Sequence, residues 1–342
     1  MLYKTAVRSE WLEKLNGSPF NPFAIGLARP GSEDSIADRN GSACYFGHTL
    51  GQVFEGGRML DEVDSPDRIG KGTWAWSAAA NGSEIFASFG GAAPRSPEVT
   101  VRNRVFAPHK RGLGWIVVEG FVLEHAANQW DDAFWMARTQ PNNPSPAAFA
   151  QAGVIGTRTG RSWVIRNNTI RFGKTIGLDI GDEGGADPEG SQSMPTKYGN
   201  HTLEFNHIVS NGGKGITGGF IGHCAPPSDC HSRLGQRGGR IAFNVVKDND
   251  YLMCFAEENA AVKTHTFNGE VIGNLIVAEN FGSGIWFDDL WFGIRVSRNV
   301  VLSKKAPNFG AFGARVPGHD ITAWRGSGMA FEISTGPALV DN

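Results

Sequence analysis

The feature that most constrains this chain is a repeat of fixed pattern and changing period. An apolar residue, two variable residues, Asn, one variable residue and a second apolar residue recur around Asn168 (Ile165, Ile170), Asn206 (Leu203, Ile208) and Asn244 (Ile241, Val246). The same pattern surrounds Asn274 (Val271, Ile276) and Asn299 (Val296, Val301). A sixth copy, Val117 to Val122, carries Gly120 in the Asn slot. Successive marks lie 48, 38, 38, 30 and 25 residues apart. Such spacing describes a coil repeated with loops of different length, in which each coil buries its apolar strand against its neighbours. Asn suits the turn of such a coil because it tolerates left-handed backbone and its amide can bond along a stack. The predicted fold is all-β: a right-handed parallel β-helix over 106–342, behind a small β-rich subdomain in 1–105.

Composition agrees with many short strands and Gly-rich turns, with 46 glycines and only 19 % charged residues. A net charge of −2 with no basic stripe argues against nucleic acid, whose phosphates call for a cationic face. No apolar run is long enough to span a bilayer, so no membrane partner is expected. Met1 to Glu10 lacks the pattern of a secretory signal, which predicts a cytoplasmic protein unless an export signal has been removed. Four cysteines are too few for a disulfide scaffold; Cys224 and Cys230, around a Pro-Pro loop, read as free thiols that would pair only in an exported protein.

In the N-terminal part, Ser9 to Leu15 predicts a short helix. Strand-like runs follow at Gln52-Val53-Phe54, Trp74-Ala75-Trp76 and Glu84-Ile85-Phe86, with a hairpin signal at Asn81-Gly82. At the other end, Leu339, Val340, Asp341 and Asn342 read as the start of another copy with Asn342 in the Asn slot, which predicts a fragment, with further coils or another domain beyond it.

A second register follows each Asn: a small residue, an apolar residue, any residue, an apolar residue, then a fifth position. Gly177 to Gly181, Gly215 to Gly219, Ala261 to His265, Gly284 to Asp288 and Gly328 to Glu332 fit it. Strand side chains alternate between faces, so the second and fourth positions point inward and the third and fifth outward. The outward columns are then Asp179, Thr217, Lys263, Trp286 and Ala330, beside Gly181, Gly219, His265, Asp288 and Glu332. Neighbouring strands lie about 4.8 Å apart, which brings Asp288 and Glu332 together. Retaining glycosidases hold their two carboxyl groups about 5–5.5 Å apart. Repulsion within such a pair keeps one member protonated as the acid. Trp286 offers a flat face to a sugar ring, and Lys263 and His265 can bond hydroxyls or attend the nucleophile. Insertions before Ala261 and Gly328 concentrate loops around this face, as at the wall of a cleft.

With these residues in hand, the chain resembles the parallel β-helix glycoside hydrolases of the β-xylosidase type, glycoside hydrolase family 120. The resemblance is carried by Glu124 to Trp130, Arg166 to Gly181, Glu258 to His265, Gly284 to Asp288 and Phe331 to Asn342. It implies Asp288 as nucleophile, Glu332 as general acid/base and Glu258 as a ligand of sugar hydroxyls. The implied substrate is a short β-linked xylo-oligosaccharide cut from its non-reducing end. The chain departs from the pattern at Asp289, at Thr335 and in an insertion over Lys304 to Arg325. A sister β-helix family acting on fucosides and xylans shares much of the motif set.

Other signals are weaker. Asp179, Asp182 and Glu183, with Asp187 nearby, could hold Ca²⁺, but a Gly-rich acidic turn explains them as well and is preferred, so no cofactor is expected. His125, Asn128 and Trp130 close a strand and read either as cleft lining, with Asn128 and Trp130 on the substrate, or as a polar turn that caps a coil. A homo-oligomer is compatible with the sequence. Two other classes fit the same fold: a polysaccharide lyase with Lys263 as base, and a non-catalytic sugar-binding solenoid.

Overall fold

The computed structural model describes residues 1–15, 18–26, 48–91, 93–129, 152–181, 199–218, 236–252, 260–265, 267–278, 283–288, 293–303, 328–332 and 338–341. From Val117 onward the chain visits three parallel sheets in turn. The first has seven strands, the second six and the third six. One coil is Val164–Arg166, Thr169–Gly173 and Ile176–Asp179; the next is Thr202–Glu204, His207–Val209 and Ile216–Gly218. The fold is a right-handed parallel β-helix.

Apolar rows line its interior, one per sheet. Ile165, Leu203, Ile241, Val271 and Val296 pair in line in the first sheet. Ile170, Ile208, Val246, Ile276 and Val301 do so in the second. Leu178, Ile216, Val262, Ile285 and Met329 do so in the third. Together they form one continuous core cluster, and burial of each such side chain contributes about 1.5–3 kcal/mol.

The first and second sheets are joined by two-residue turns. In each turn the first residue is left-handed: Gly120, Asn167, Phe205, Phe243, Gly273 and Arg298 have φ between 55° and 80°. The second residue is the repeated Asn, which is not itself left-handed. Its amide accounts for its presence. Asn168, Asn206, Asn244 and Asn274 each donate Nδ2 to the Oδ1 of the next Asn at 2.9–3.1 Å. The same Oδ1 atoms accept the backbone N–H of the preceding Asn. Each Nδ2 also reaches back to a carbonyl of the previous coil, as from Asn244 to Leu203 at 2.9 Å. The ladder thus satisfies polar groups that are buried.

Two expectations were one residue out of register. Val118, not Val117, pairs with Ile165, so Gly120 takes the left-handed slot and Phe121 the Asn slot. Phe121 takes part through its backbone N–H, which donates to Asn168 Oδ1. At the far end Val340, not Leu339, pairs with Val296, a register that does not put Asn342 in the Asn slot; Asn342 lies outside the described residues. Both slips fall where two apolar residues are adjacent and the alternation does not choose between them.

The N-terminal residues form a sheet of Tyr3–Arg8, Gly82–Ala87, Thr73–Ala79 and Asp61–Glu62, and a second sheet of Arg58–Met59, Val53–Glu55 and Pro97–Val99. The helix expected over Ser9 to Leu15 is a single 3₁₀ turn, Ser9–Trp11. Leu12 leaves it extended and buried, and the Glu13 carboxylate accepts the backbone N–H of Asn103. The hairpin at Asn81 is present, but its two-residue turn is Ala80-Asn81, because Ala79 pairs with Gly82. Gly82 has φ of 124°, and a Cβ there would lie 2.0 Å from the Val7 carbonyl oxygen.

Candidate active site

The third sheet carries the candidate residues, and its connections are the long ones. Segments 130–151, 182–198, 219–235, 253–259 and 304–327, which lie outside the described residues, all join this sheet to its neighbours. Its outward columns have the register read from sequence. Asp179, Thr217, Lys263, Trp286 and Ala330 pair in line, and so do His265, Asp288 and Glu332. Glu332 is the direct backbone partner of Asp288 on the next coil, about 4.8 Å away across the sheet.

This outward face is buried. Strands Ala260–His265 and Ser283–Asp288 are buried along almost their whole length, on both faces. Lys263 is 0 % exposed, His265 3 % and Asp288 4 %, while Trp286 is partly exposed. Charge at that depth calls for a partner. Lys263 Nζ donates to Asp288 Oδ2 at 2.8 Å, and His265 Nδ1 lies 3.6 Å from the same oxygen. The Lys263 ammonium also sits 3.5 Å from the centroid of the Trp286 ring, a cation–π contact. Lys263 therefore ties one coil to the next twice, through a carboxylate and through an aromatic face.

Other candidates are placed elsewhere. Asn128 sits in the turn before the third sheet: it is fully buried, its Nδ2 donates to the carbonyls of Ala152 and Ile176, and its Oδ1 accepts the N–H of Thr175. His125 does not line this face. It belongs to the second sheet, stacks on Phe54 at 4.0 Å and lies 3.2 Å from Glu98, and burial lowers its pKa. Asp179 is buried and its carboxylate accepts the N–H of Gly181. Trp130, Glu258, Asp182, Glu183, Asp187, Cys224, Cys230, Asp289, Thr335 and the segment 304–325 lie outside the described residues. Among the described residues no three His, Cys, Asp or Glu side chains gather as metal ligands.

No protein-family model matches this chain, and no curated protein matches it. A solved structure does. It is described as "The complex structure of XylC with xylose" and superposes with a TM-score of 0.67 at 20 % identity. The match covers 99 % of this chain and 51 % of that one, so the present chain spans about half the length of its structural neighbour. At that identity the likeness shows the fold: the neighbour is a β-helix of the same kind, and the xylose belongs to it.

Sequence reasoning missed a second polar cluster. Glu62, Lys174, His48 and Tyr251 meet where the N-terminal sheets pack on the helix, with Lys174 Nζ 3.3 Å from Glu62 Oε2. Glu62 and Lys174 are 112 positions apart and neither occupies a position of the two repeated patterns, so nothing local announces their meeting. The single clue is a lysine, in Gly173-Lys174-Thr175, at the corner of a coil where burial is nearly complete.

Proposed function

We propose that this chain is a retaining exo-glycosidase that hydrolyses short β-linked xylo-oligosaccharides, with Asp288 as nucleophile and Glu332 as general acid/base. The observation that carries the proposal is the register of Asp288 opposite Glu332 on adjacent coils, beside Lys263 and Trp286. A one-coil separation of about 4.8 Å suits the roughly 5–5.5 Å of retaining enzymes better than the roughly 6.5–9.5 Å of inverting ones.

In this reading the Asp288 carboxylate attacks the anomeric carbon while Glu332 protonates the departing oxygen. Glu332 then takes a proton from the water that releases the sugar. Lys263 holds Oδ2 of Asp288 and so orients the carboxylate, and its contact with Trp286 fixes the indole as a wall for the sugar ring. His265 stands on the coil before, on the same oxygen. A lyase would need Lys263 as a base, and its ion pair with Asp288 speaks for the glycosidase instead. The xylose bound by the structural neighbour supports a pentose as the sugar.

The test is release of p-nitrophenol from the aryl β-xyloside by the parent, Asp288→Asn and Glu332→Gln. Activity that collapses in both variants supports the pair. Azide restores turnover in Glu332→Gln if the acid/base role is right. Release unchanged by either substitution refutes the assignment.

A further inference from the structure

A pocket of about 130 Å³ lies between the N-terminal sheets and the corner of the coils, lined among others by His48, Gln52, Met59, Glu62, Lys174 and Tyr251. It is separate from Asp288. Lys174 lies in the corner two residues before the strand Ile176–Asp179 of the third sheet, whereas Asp288 ends a strand of that sheet.

The polar groups around it are incompletely matched. Glu62 Oε1 accepts the N–H of Thr49 at 2.8 Å, and Oε2 faces Lys174 Nζ at 3.3 Å. Lys174 Nζ also donates to the Gly51 carbonyl at 3.2 Å. An ammonium has three N–H groups, and those two bonds leave one over among the described residues. Tyr251 Oη accepts from Gln52 Nε2 at 2.9 Å, while its own proton goes to no described residue. His48 Nδ1 is buried, lies 3.4 Å from Glu62 Oε2 and makes no hydrogen bond. Burial lowers the Lys174 pKa, with Glu62 opposing.

Charge narrows the ligand. Glu62 and Lys174 cancel, and Asp61 on the lining adds a negative group, which disfavours an anion. The ammonium disfavours a cation. What remains is an uncharged molecule with several hydroxyls, able to donate to Glu62 and accept from Lys174 and Tyr251. A closed cavity of about 150 Å³ takes one benzene ring, so a pocket of about 130 Å³ holds no more than one ring, with the hydroxyls of a sugar reaching its mouth. Leu60, Leu252 and Trp74 supply apolar walls.

We propose that this pocket binds one monosaccharide unit, at a site distinct from the carboxylate pair. The inference stands on the pocket alone and not on the reaction assigned to Asp288 and Glu332.

The experiment is calorimetric titration of the full chain with D-xylose, and with D-glucose and L-arabinose as alternatives, in four proteins: parent, Asp288→Asn, Tyr251→Phe and Met59→Trp. Met59 is partly exposed on the pocket lining, so the larger indole fills the space with little demand on the core. Binding of at least one sugar should survive in Asp288→Asn, weaken roughly tenfold, about 1.4 kcal/mol, at this pocket in Tyr251→Phe, and lose this one site in Met59→Trp. Thermal melts check that each variant is folded, and Tyr251→Phe decides if Met59→Trp is not. Binding that is lost in Asp288→Asn and indifferent to Tyr251→Phe would place the sugar at the carboxylates and overturn the proposal. Absence of heat with all three sugars in the parent would overturn it too. Neither result bears on p-nitrophenol release, so the two proposals fail separately.

Discussion

Lys263 Nζ and Asp288 Oδ2 stand 2.8 Å apart on adjacent coils, with Lys263 fully buried and Asp288 nearly so. The two residues are not register partners: Lys263 pairs with Trp286 and His265 with Asp288, so the lysine reaches diagonally across the sheet. Removing one member of a buried pair leaves the other charge without compensation, at about 3–5 kcal/mol. Lys263→Met should therefore destabilise strongly in urea titrations. The double variant Lys263→Met with Asp288→Asn should recover part of that loss, since both charges are then gone. If Lys263 positions the nucleophile, Lys263→Met at a temperature where it is folded should lower kcat for the aryl xyloside more than it changes KM.

The Asn ladder predicts a gradient of sensitivity along the coils. Asn244 donates to Asn274 Oδ1 and the Leu203 carbonyl, and accepts from the N–H and Nδ2 of Asn206. Asn244→Ala leaves several buried groups unpaired at about 1–3 kcal/mol each before relaxation, and a net loss of about 3 kcal/mol is expected. Phe121 already occupies the same slot at the first coil without an amide, so a side-chain ladder is not needed at the end of the stack. Chemical denaturation of Asn244→Ala and Phe121→Ala should show the larger loss at Asn244, because Phe121 joins the ladder through its backbone N–H alone.

Much of this was legible because the helix writes its period into the chain. Ile165, Leu203, Ile241, Val271 and Val296 form one row because each precedes an Asn by the same interval, and the third-sheet columns follow by counting. Counting failed at Val117-Val118 and Leu339-Val340, where adjacent apolar residues hide the phase. Of the two reasons for Asn, amide bonding along the stack holds and left-handed backbone does not: the left-handed residue is the one before it, filled by Phe205, Phe243 and Arg298 as well as by glycine. The depth of Lys263 and Asp288 was illegible, since burial of an outward face depends on what lies over it and alternation speaks only of the inner one. The cluster of Glu62 and Lys174 was illegible for a related reason, as it arises from packing of two parts that share no repeat.

His201 makes stability depend on pH. It is buried, its Nδ1 accepts the backbone N–H of Trp163 at 3.2 Å, and burial pulls its pKa from 6.5 down to about 4. The unfolded chain therefore binds a proton between about pH 6.5 and 4 that the folded chain refuses, so stability falls as pH drops through that window. The contribution lost from pH 7 to pH 5 should be about 2 kcal/mol. His201→Gln, which keeps an acceptor for Trp163, should be less stable at pH 7 but flatter with pH over this range. An unchanged slope in urea titrations at the two pH values would assign the pH dependence to other groups.

The register of the first coil can be tested by a pair of substitutions at adjacent positions. Val118 is 1 % exposed and faces the core beside Ile165, whereas Val117 is 60 % exposed. Val118→Asp would bury a carboxylate with no partner, a class of change that costs more than about 4 kcal/mol and should prevent folding of at least the first coils. Val117→Asp changes a surface position and should fall within about 0.5 kcal/mol of the parent. The assay is soluble yield and melting temperature of the two variants side by side. The opposite order would restore Gly120 to the Asn slot and shift every side chain of that strand to the other face.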